Sequence, residues 1–218
     1  MKFFIDTANL HDIKSAQELG ILNGVTTNPS LMAKEGIKGK KNILKHYKDI
    51  CDIVDGDVSA EVISTDYEGM IKEGQELAML DPQIVIKIPM IEEGIKAIRY
   101  FSDKGIKTNC TLIFSVGQAL IAAQAGATYV SPFIGRLDDS GEDGIQIVAD
   151  IVDMFEIQKY NTQVLAASIR NKKHIEDCAM IGADVVTAPL DAIRGLIPHT
   201  LTETGLKQFL ADHSANNS

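Results

Sequence analysis

The run IVIKIP (84–89) decides how the rest of the chain reads. It is short, apolar and β-branched, it ends at a proline, and it contains a single lysine, Lys87. A brief continuous apolar run of this kind is expected of a strand covered on both faces, as in a parallel sheet. Similar runs recur along the chain as FFIDT (3–7), GVTTN (24–28), VSAEV (58–62), KTNCTLI (107–113), YVSPFI (129–134), QVLAAS (163–168) and VVTAP (185–189). Each is enriched in Val, Ile, Thr or aromatic residues, and most have Gly, Pro or Asp nearby. Segments with helical spacing lie among them: AQELGIL, YKDICDIVDG, YEGMIKEGQELAML, VGQALIAAQAGA, DGIQIVADIVDMF and HIEDCAMIGA. Alternating strands and helices call for βαβ units and a parallel sheet. Eight such units in 218 residues predict an α/β protein, a (β/α)8 TIM barrel forming one domain over 1–218. A doubly wound open sheet is the alternative, because periodicity does not distinguish a closed sheet from an open one. In the tail, Leu206, Phe209 and Leu210 recur at helical spacing and predict an extra amphipathic helix over about 201–213. The last residues, SANNS, are expected to fray.

Composition narrows the function classes. Hydrophobic residues make up 45% of the chain and charged residues 23%, an ordinary globular balance that argues against disorder or a coiled coil. The net charge of −9 disfavours nucleic acid and anionic membrane surfaces as partners, since both demand an excess of positive charge. It leaves room for a phosphate ligand, because two well-placed arginines suffice for one. The run Lys38, Lys40, Lys41, Lys45 and Lys48 reads as a solvated loop and helix face. Three cysteines, Cys51, Cys110 and Cys178, form no CxxC pair, and the five histidines are scattered, so no metal site is expected. The phosphate-cradling glycine patterns of nucleotide-binding proteins are missing, which leaves no case for a nucleotide cofactor. The N-terminus MKFFIDTANLHD has no apolar stretch of signal-peptide type and no run approaches the ~18 apolar residues of a membrane span, so a reduced, cytoplasmic protein is expected.

Function is sought in the polar residues that strands of this kind should not contain. Lys87 has only apolar neighbours within its run, and lysine is almost never fully buried without a partner. Burial disfavours the ammonium, and a neutral amine is the nucleophile that forms a Schiff base with a ketone. The competing reading is a lysine that snorkels past the strand end into solvent. Asp6 closes the first strand and Glu61 nearly closes the third. Each has a bland alternative, Asp6 as a helix cap and Glu61 as the partner of a nearby lysine. Together with Lys87 they are candidate proton carriers. Alternation places Thr26 with Asn28, Asn109 with Thr111, Ser131 with Phe133, and Ala166 with Ser168 on shared faces, and turns Cys110 away. Arg136 and Arg170 follow two strand ends, and with Ser168 they form a candidate phosphate clamp. The alternative for either arginine is a rim salt bridge with Asp138, Asp139 or Glu142.

The motifs GVTTNPS (24–30), VIKIP (85–89), SPFIGRLDD (131–139) and VLAAS (164–168), in this order, resemble the transaldolase family, specifically its short single-barrel subfamily, which includes fructose-6-phosphate aldolases. The resemblance extends over nearly the whole chain. It implies a metal-free Schiff-base mechanism with Lys87 as the nucleophile. Asp6 matches the residue that exchanges a proton with the C4 hydroxyl. Glu61 matches the acid/base that works through an ordered water, with Thr111 holding that water. Asn28 and Asn109 match the side chains that orient a dihydroxyacetone unit, supported by Thr26 and Ser131. Arg136, Ser168 and Arg170 match the phosphate grip. The implied reaction passes that unit from sedoheptulose 7-phosphate or fructose 6-phosphate to glyceraldehyde 3-phosphate or erythrose 4-phosphate, in the pentose phosphate pathway and without a cofactor. The resemblance also implies a homo-oligomer, a pentamer or a decamer.

Two positions separate the branches of the family. The aldolase branch has Gln at the third-strand carboxylate and Tyr at the sixth-strand aromatic. Here these are Glu61 and Phe133, the transaldolase pattern, and Arg170 points the same way. A phenylalanine has no hydroxyl with which to protonate the enamine, so the intermediate waits for an acceptor aldehyde. A fructose-6-phosphate aldolase and a non-catalytic sugar-phosphate-binding barrel are the alternatives.

Overall fold

A computed structural model describes residues 1–216. Eight parallel strands close on themselves in chain order. They are β1 (Lys2–Asp6), β2 (Leu22–Thr26), β3 (Asp57–Glu61), β4 (Ile84–Pro89), β5 (Thr108–Ile113), β6 (Tyr129–Pro132), β7 (Gln163–Ala166) and β8 (Val185–Ala188). The fold is therefore the expected TIM barrel, and the open-sheet alternative is set aside by the pairing of β1 with β8. The long outer helices are α1 (Leu10–Glu18), α3 (Lys40–Cys51), α4 (Tyr67–Ala78), α5 (Glu92–Ser102), α6 (Val116–Gln124), α8 (Gly144–Gln158) and α9 (Lys172–Met180). Short helices α2 (Pro29–Lys34), α7 (Ile134–Asp139) and α10 (Leu190–Arg194) follow β2, β6 and β8.

The main departures from the sequence reading lie in the helices. AQELGIL straddles the end of α1 and the start of β2, because Asn9 caps the helix early by accepting from the His11 and Asp12 N–H groups. The eight-unit reading implies a helix between the fourth and fifth strands without naming its segment; α5 lies there and buries Ala97, Ile98 and Phe101. The lysine run lies on and before α3, where Lys45 pairs with Asp49 and Lys48 with Asp52 and Asp81.

Strand alternation sorts the core into two layers. Ile86 and Ile88 of β4 belong to the large cluster under the helices. Phe4, Val85, Tyr129, Leu165, Ala167 and Val185 meet inside the barrel. Gly24 belongs to this interior, since a Cβ there would come within 2.6 Å of the Phe4 ring. At the N-terminal end the Tyr129 hydroxyl donates to Asp57 at 2.7 Å, and Asp57 pairs with Lys107 at 2.8 Å. Above these floor contacts the interior is aromatic and aliphatic, and it becomes polar toward the C-terminal ends of the strands.

A last helix, α11 (Thr200–Asn216), is the expected C-terminal helix and continues three residues past the expected end, through Ser214, Ala215 and Asn216 of the stretch expected to fray. Asn217 and Ser218 lie outside the described residues. None of its described residues is buried, and Leu201, Leu206, Phe209 and Leu210 are exposed. The helix therefore does not pack its apolar side chains on its own barrel. Among the described residues no helix is long and apolar enough to cross a membrane.

Candidate active site

Polar side chains converge at the C-terminal mouth of the barrel. Lys87 is almost wholly buried, so it does not snorkel to solvent. Its Nζ donates to the Thr27 carbonyl at 3.0 Å and lies 3.0 Å from Glu61 Oε2. The partner that a buried lysine needs comes from the neighbouring strand, where Glu61 and Lys87 are in register. Glu61 is both a candidate proton carrier and the partner of that lysine.

Asp6 does not cap α1. Its Oδ1 accepts from the Thr26 hydroxyl at 2.7 Å, and Thr26 Oγ1 lies 2.6 Å from Thr187 Oγ1. Burial raises the Asp6 carboxyl above the ordinary carboxylate range, against the opposing pull of the Lys87 charge and the Thr26 hydrogen bond. On the opposite wall Ser131 donates to Asn109 Oδ1 at 2.7 Å, and Asn109 Nδ2 donates to Ser59 Oγ at 3.2 Å.

These groups bound a well of about 130 Å³, lined by Asp6, Thr26, Asn28, Lys87, Ser131, Phe133, Arg136, Ala167, Ser168 and Thr187. A wider vestibule of about 420 Å³ shares Asn28, Lys87, Phe133 and Arg136 with the well and adds Glu61, Thr111, Ser30 and Lys34. Asn28 both lines the well and caps α2 by accepting from the Leu31 N–H, which fixes its side chain. Thr111 Oγ1 is buried with no hydrogen-bond partner among the described residues, so it is free to bind a ligand or water. Backbone strain gathers here too: Leu112 and Ser168 adopt φ of 62° and 58°.

Three placements differ from the simple alternation argument. Asn109 is fully buried and lines neither hollow; it lies behind Ser131 and holds it. Ala166 faces the helical layer while Leu165 and Ala167 face inward, so Ala166 and Ser168 do not share a face. Ser168 reaches the well because its left-handed backbone interrupts the alternation after β7. Of the two arginines, only Arg136 enters the cavity, its guanidinium 4.9 Å from the Phe133 ring centre. Arg170 is drawn to the rim, donating to Asp139 Oδ2 at 2.5 Å and to the Gly135 carbonyl at 3.3 Å. Close packing holds it there, since a Cβ on Gly135 would lie 2.6 Å from Arg170 Nε. Cys110 faces away, against Met90, and burial pushes its thiol up to about 12.

Thr187 and Ser59 were not singled out from sequence. Both are polar residues on inward strand positions, so the rule that found Thr26 applies to them equally.

The sequence pattern described as Transaldolase/Fructose-6-phosphate aldolase matches residues 3–217. The chain belongs to this family. A probable transaldolase of Cytophaga hutchinsonii is 68% identical over 217 residues, covering all of both chains. Another probable transaldolase, of Phocaeicola vulgatus, is 69% identical over the same length, again covering all of both chains. A probable transaldolase of Bacteroides thetaiotaomicron is 67% identical with equal coverage. Among solved structures, thiamine phosphate pyrophosphorylase from Pyrococcus furiosus superposes with a TM-score of 0.61 at 14% identity, covering 85% of this chain and 84% of that one. That likeness concerns the barrel fold alone.

The raised carboxyl of Asp6 has a consequence for stability. Between the unfolded and folded pKa values the native state holds more protons than the unfolded state, so stability falls as pH rises through that window. Asp6→Asn keeps an acceptor for Thr26 and removes the buried charge. The variant is expected to melt higher than wild type at pH 7, by roughly 2–4 °C per kcal/mol relieved. The gain should be smaller at pH 4 than at pH 7, because a carboxyl with a raised pKa is more fully protonated at the lower pH. Paired melting curves at the two pH values check this, and an equal or lower midpoint for the variant at pH 7 refutes it.

Proposed function

We propose that this family member is a transaldolase that carries a three-carbon dihydroxyacetone unit on Lys87 as a Schiff base. The observation that carries the reading is the buried Lys87 amine, 3.0 Å from Glu61 at the mouth of the barrel. The well itself holds the Asp6 carboxyl. Glu61 takes a proton from the paired Lys87 ammonium, and the freed Nζ attacks the C2 carbonyl of a ketose phosphate, sedoheptulose 7-phosphate or fructose 6-phosphate. Glu61 serves the proton transfers of carbinolamine formation and loss of water, with Thr111 as a hydrogen-bond partner for that water. Asp6 takes the proton from the C4 hydroxyl as the C3–C4 bond breaks. The bonding electrons pass to the iminium and leave an enamine on Lys87, and an aldose phosphate departs. Glyceraldehyde 3-phosphate or erythrose 4-phosphate then enters and the steps run backwards. The raised pKa of Asp6 suits this role, since a carboxyl poised toward its acid form returns a proton readily.

Arg136, Ser168, Asn28 and Ser131 line the well and are the proposed contacts to substrate, with Thr26 and Asn109 behind them. Arg170 joins the phosphate grip by exchanging Asp139 for the phosphate. Phe133 supports transfer over release, because it forms one wall of the well and has no proton to give an enamine. The enzyme works as one barrel domain in a reduced, cytoplasmic setting, in keeping with three buried, unpaired cysteines. It serves the pentose phosphate pathway and uses no cofactor. The exposed apolar residues of α11 support assembly into a pentamer or decamer through contact with another copy.

Incubation with fructose 6-phosphate followed by borohydride should leave a dihydroxyacetone-sized adduct on the peptide containing Lys87. Erythrose 4-phosphate added before reduction should clear it, and Lys87→Ala should form none while remaining folded. An unmodified wild-type chain refutes the reading. Phe133→Tyr should release more free dihydroxyacetone from fructose 6-phosphate in the absence of acceptor than wild type does; equal release refutes the role given to Phe133. Removal of residues 199–218 should lower the mass measured by light scattering, and an unchanged mass refutes assembly through the tail.

A further inference from the structure

Tyr47 lies on α3, outside the barrel, and no role was read for it in the sequence. Its ring is buried against the core and burial raises its phenol above the ordinary value, so it stays protonated. Its hydroxyl accepts from the backbone N–H of Glu61 at 3.3 Å and from the Thr27 hydroxyl at 3.2 Å. These two residues supply the two hydrogen-bond or ion-pair partners of Lys87 Nζ among the described residues: the Glu61 carboxylate and the Thr27 carbonyl. One phenol oxygen therefore joins the ends of β2 and β3 at the points where they hold the amine.

The need for such a tie is visible on the far side of Glu61. That carboxylate lines the vestibule and also a second hollow of about 230 Å³ between α3 and α4, bounded by Ile43, Leu44, Ile63 and Leu77. Glu61 has open space on both sides, and no side-chain hydrogen bond other than its contact with Lys87 fixes it among the described residues. Its position depends on where its backbone is held, and the Tyr47 hydroxyl holds that backbone from the helix side.

We infer that Tyr47 is a positioning residue for the Lys87–Glu61 pair, acting through the Glu61 backbone and the Thr27 loop without touching substrate. The inference rests on the Schiff-base reading given above. Tyr47→Phe removes the hydroxyl and keeps the ring. It should slow the borohydride-trapped appearance of the Lys87 adduct about tenfold, the scale of one lost buried hydrogen bond. The fructose 6-phosphate concentration for half-maximal trapping rate should stay within about twofold, because substrate contacts are untouched.

A double-mutant cycle separates positioning from general packing. If Tyr47 acts through the Glu61 carboxylate, then Tyr47→Phe in a Glu61→Gln background should slow trapping less than about twofold further. Equal losses in both backgrounds mean that Tyr47 only supports the fold, and overturn the inference. Thr27→Val, which removes one of the two bonds to the phenol, should slow trapping by a smaller factor and serves if Tyr47→Phe does not fold. A wild-type rate in Tyr47→Phe, or in Thr27→Val where that variant stands in, overturns the inference while the wild-type adduct leaves the Schiff-base reading standing. Absence of the adduct in wild type overturns both.

Discussion

The pairing of Lys87 with Glu61 is the constraint around which the upper half of the barrel is arranged. Moving an ammonium and a carboxylate out of water costs several kcal/mol per ion, and close pairing with further hydrogen bonds offsets that only where the geometry is good. The geometry here is set by strand register, which puts the two residues side by side on β3 and β4. The Thr27 carbonyl supplies a further acceptor for the ammonium. Most other inward polar groups nearby are likewise satisfied by a neighbour: Asp6 by Thr26, Asn109 by Ser59 and Ser131. Thr111 Oγ1 is the exception among them, and Thr111 lines the vestibule together with Glu61.

This arrangement works because the two halves of the barrel interior have different tasks. The lower half is filled by Phe4, Val85, Tyr129, Leu165 and Val185, and closed beneath by the Tyr129–Asp57–Lys107 contacts. Packing there is dense and rigid, so the strand ends are held at fixed spacing. The upper half trades that packing for polar groups in hydrogen bonds, and for strained backbone at Leu112 and Ser168. Strain is tolerated where the surrounding structure over-determines it, and a closed sheet provides that support.

Much of this was legible in the sequence for one physical reason. A strand buried on both faces has a strong apolar signature, so a lysine, a carboxylate or an asparagine within it stands out. Lys87, Asp6 and Glu61 were found in that way, Thr26 and Thr111 through face alternation and the family resemblance, and the structure brings all five to one mouth. Residues beyond the strand ends carry no such signature. Period-two alternation says nothing beyond the strand end, so Ser168 was given the wrong companion in Ala166. The ion pair of Arg170 was only one of several choices, because the helix carrying Asp139 sets it. Tyr47 was not legible at all. On its helix it is one more buried apolar position, and only the packing of α3 against β2 and β3 shows where its hydroxyl goes.

Charge placement shows the same separation between what composition states and what position does. A net charge of −9 opposes the approach of an anion over distances longer than the screening length, about 8–10 Å at physiological salt. Inside that distance the local arrangement governs. Arg136 and Lys34 line the vestibule, and Lys87 lies beneath them. Phe133 backs Arg136 on one side and packs against Phe114 with ring centres 5.9 Å apart. An arginine stacked on an aromatic face is partly desolvated and held in one plane, so less freedom is lost when it pairs with phosphate oxygens. Phe133 therefore supports the Arg136 guanidinium at the well, besides the part proposed for it in withholding a proton from the enamine. Substitutions at this position separate the two: under the proposed mechanism a hydroxyl on the ring changes the chemistry, while loss of the ring removes the support of Arg136.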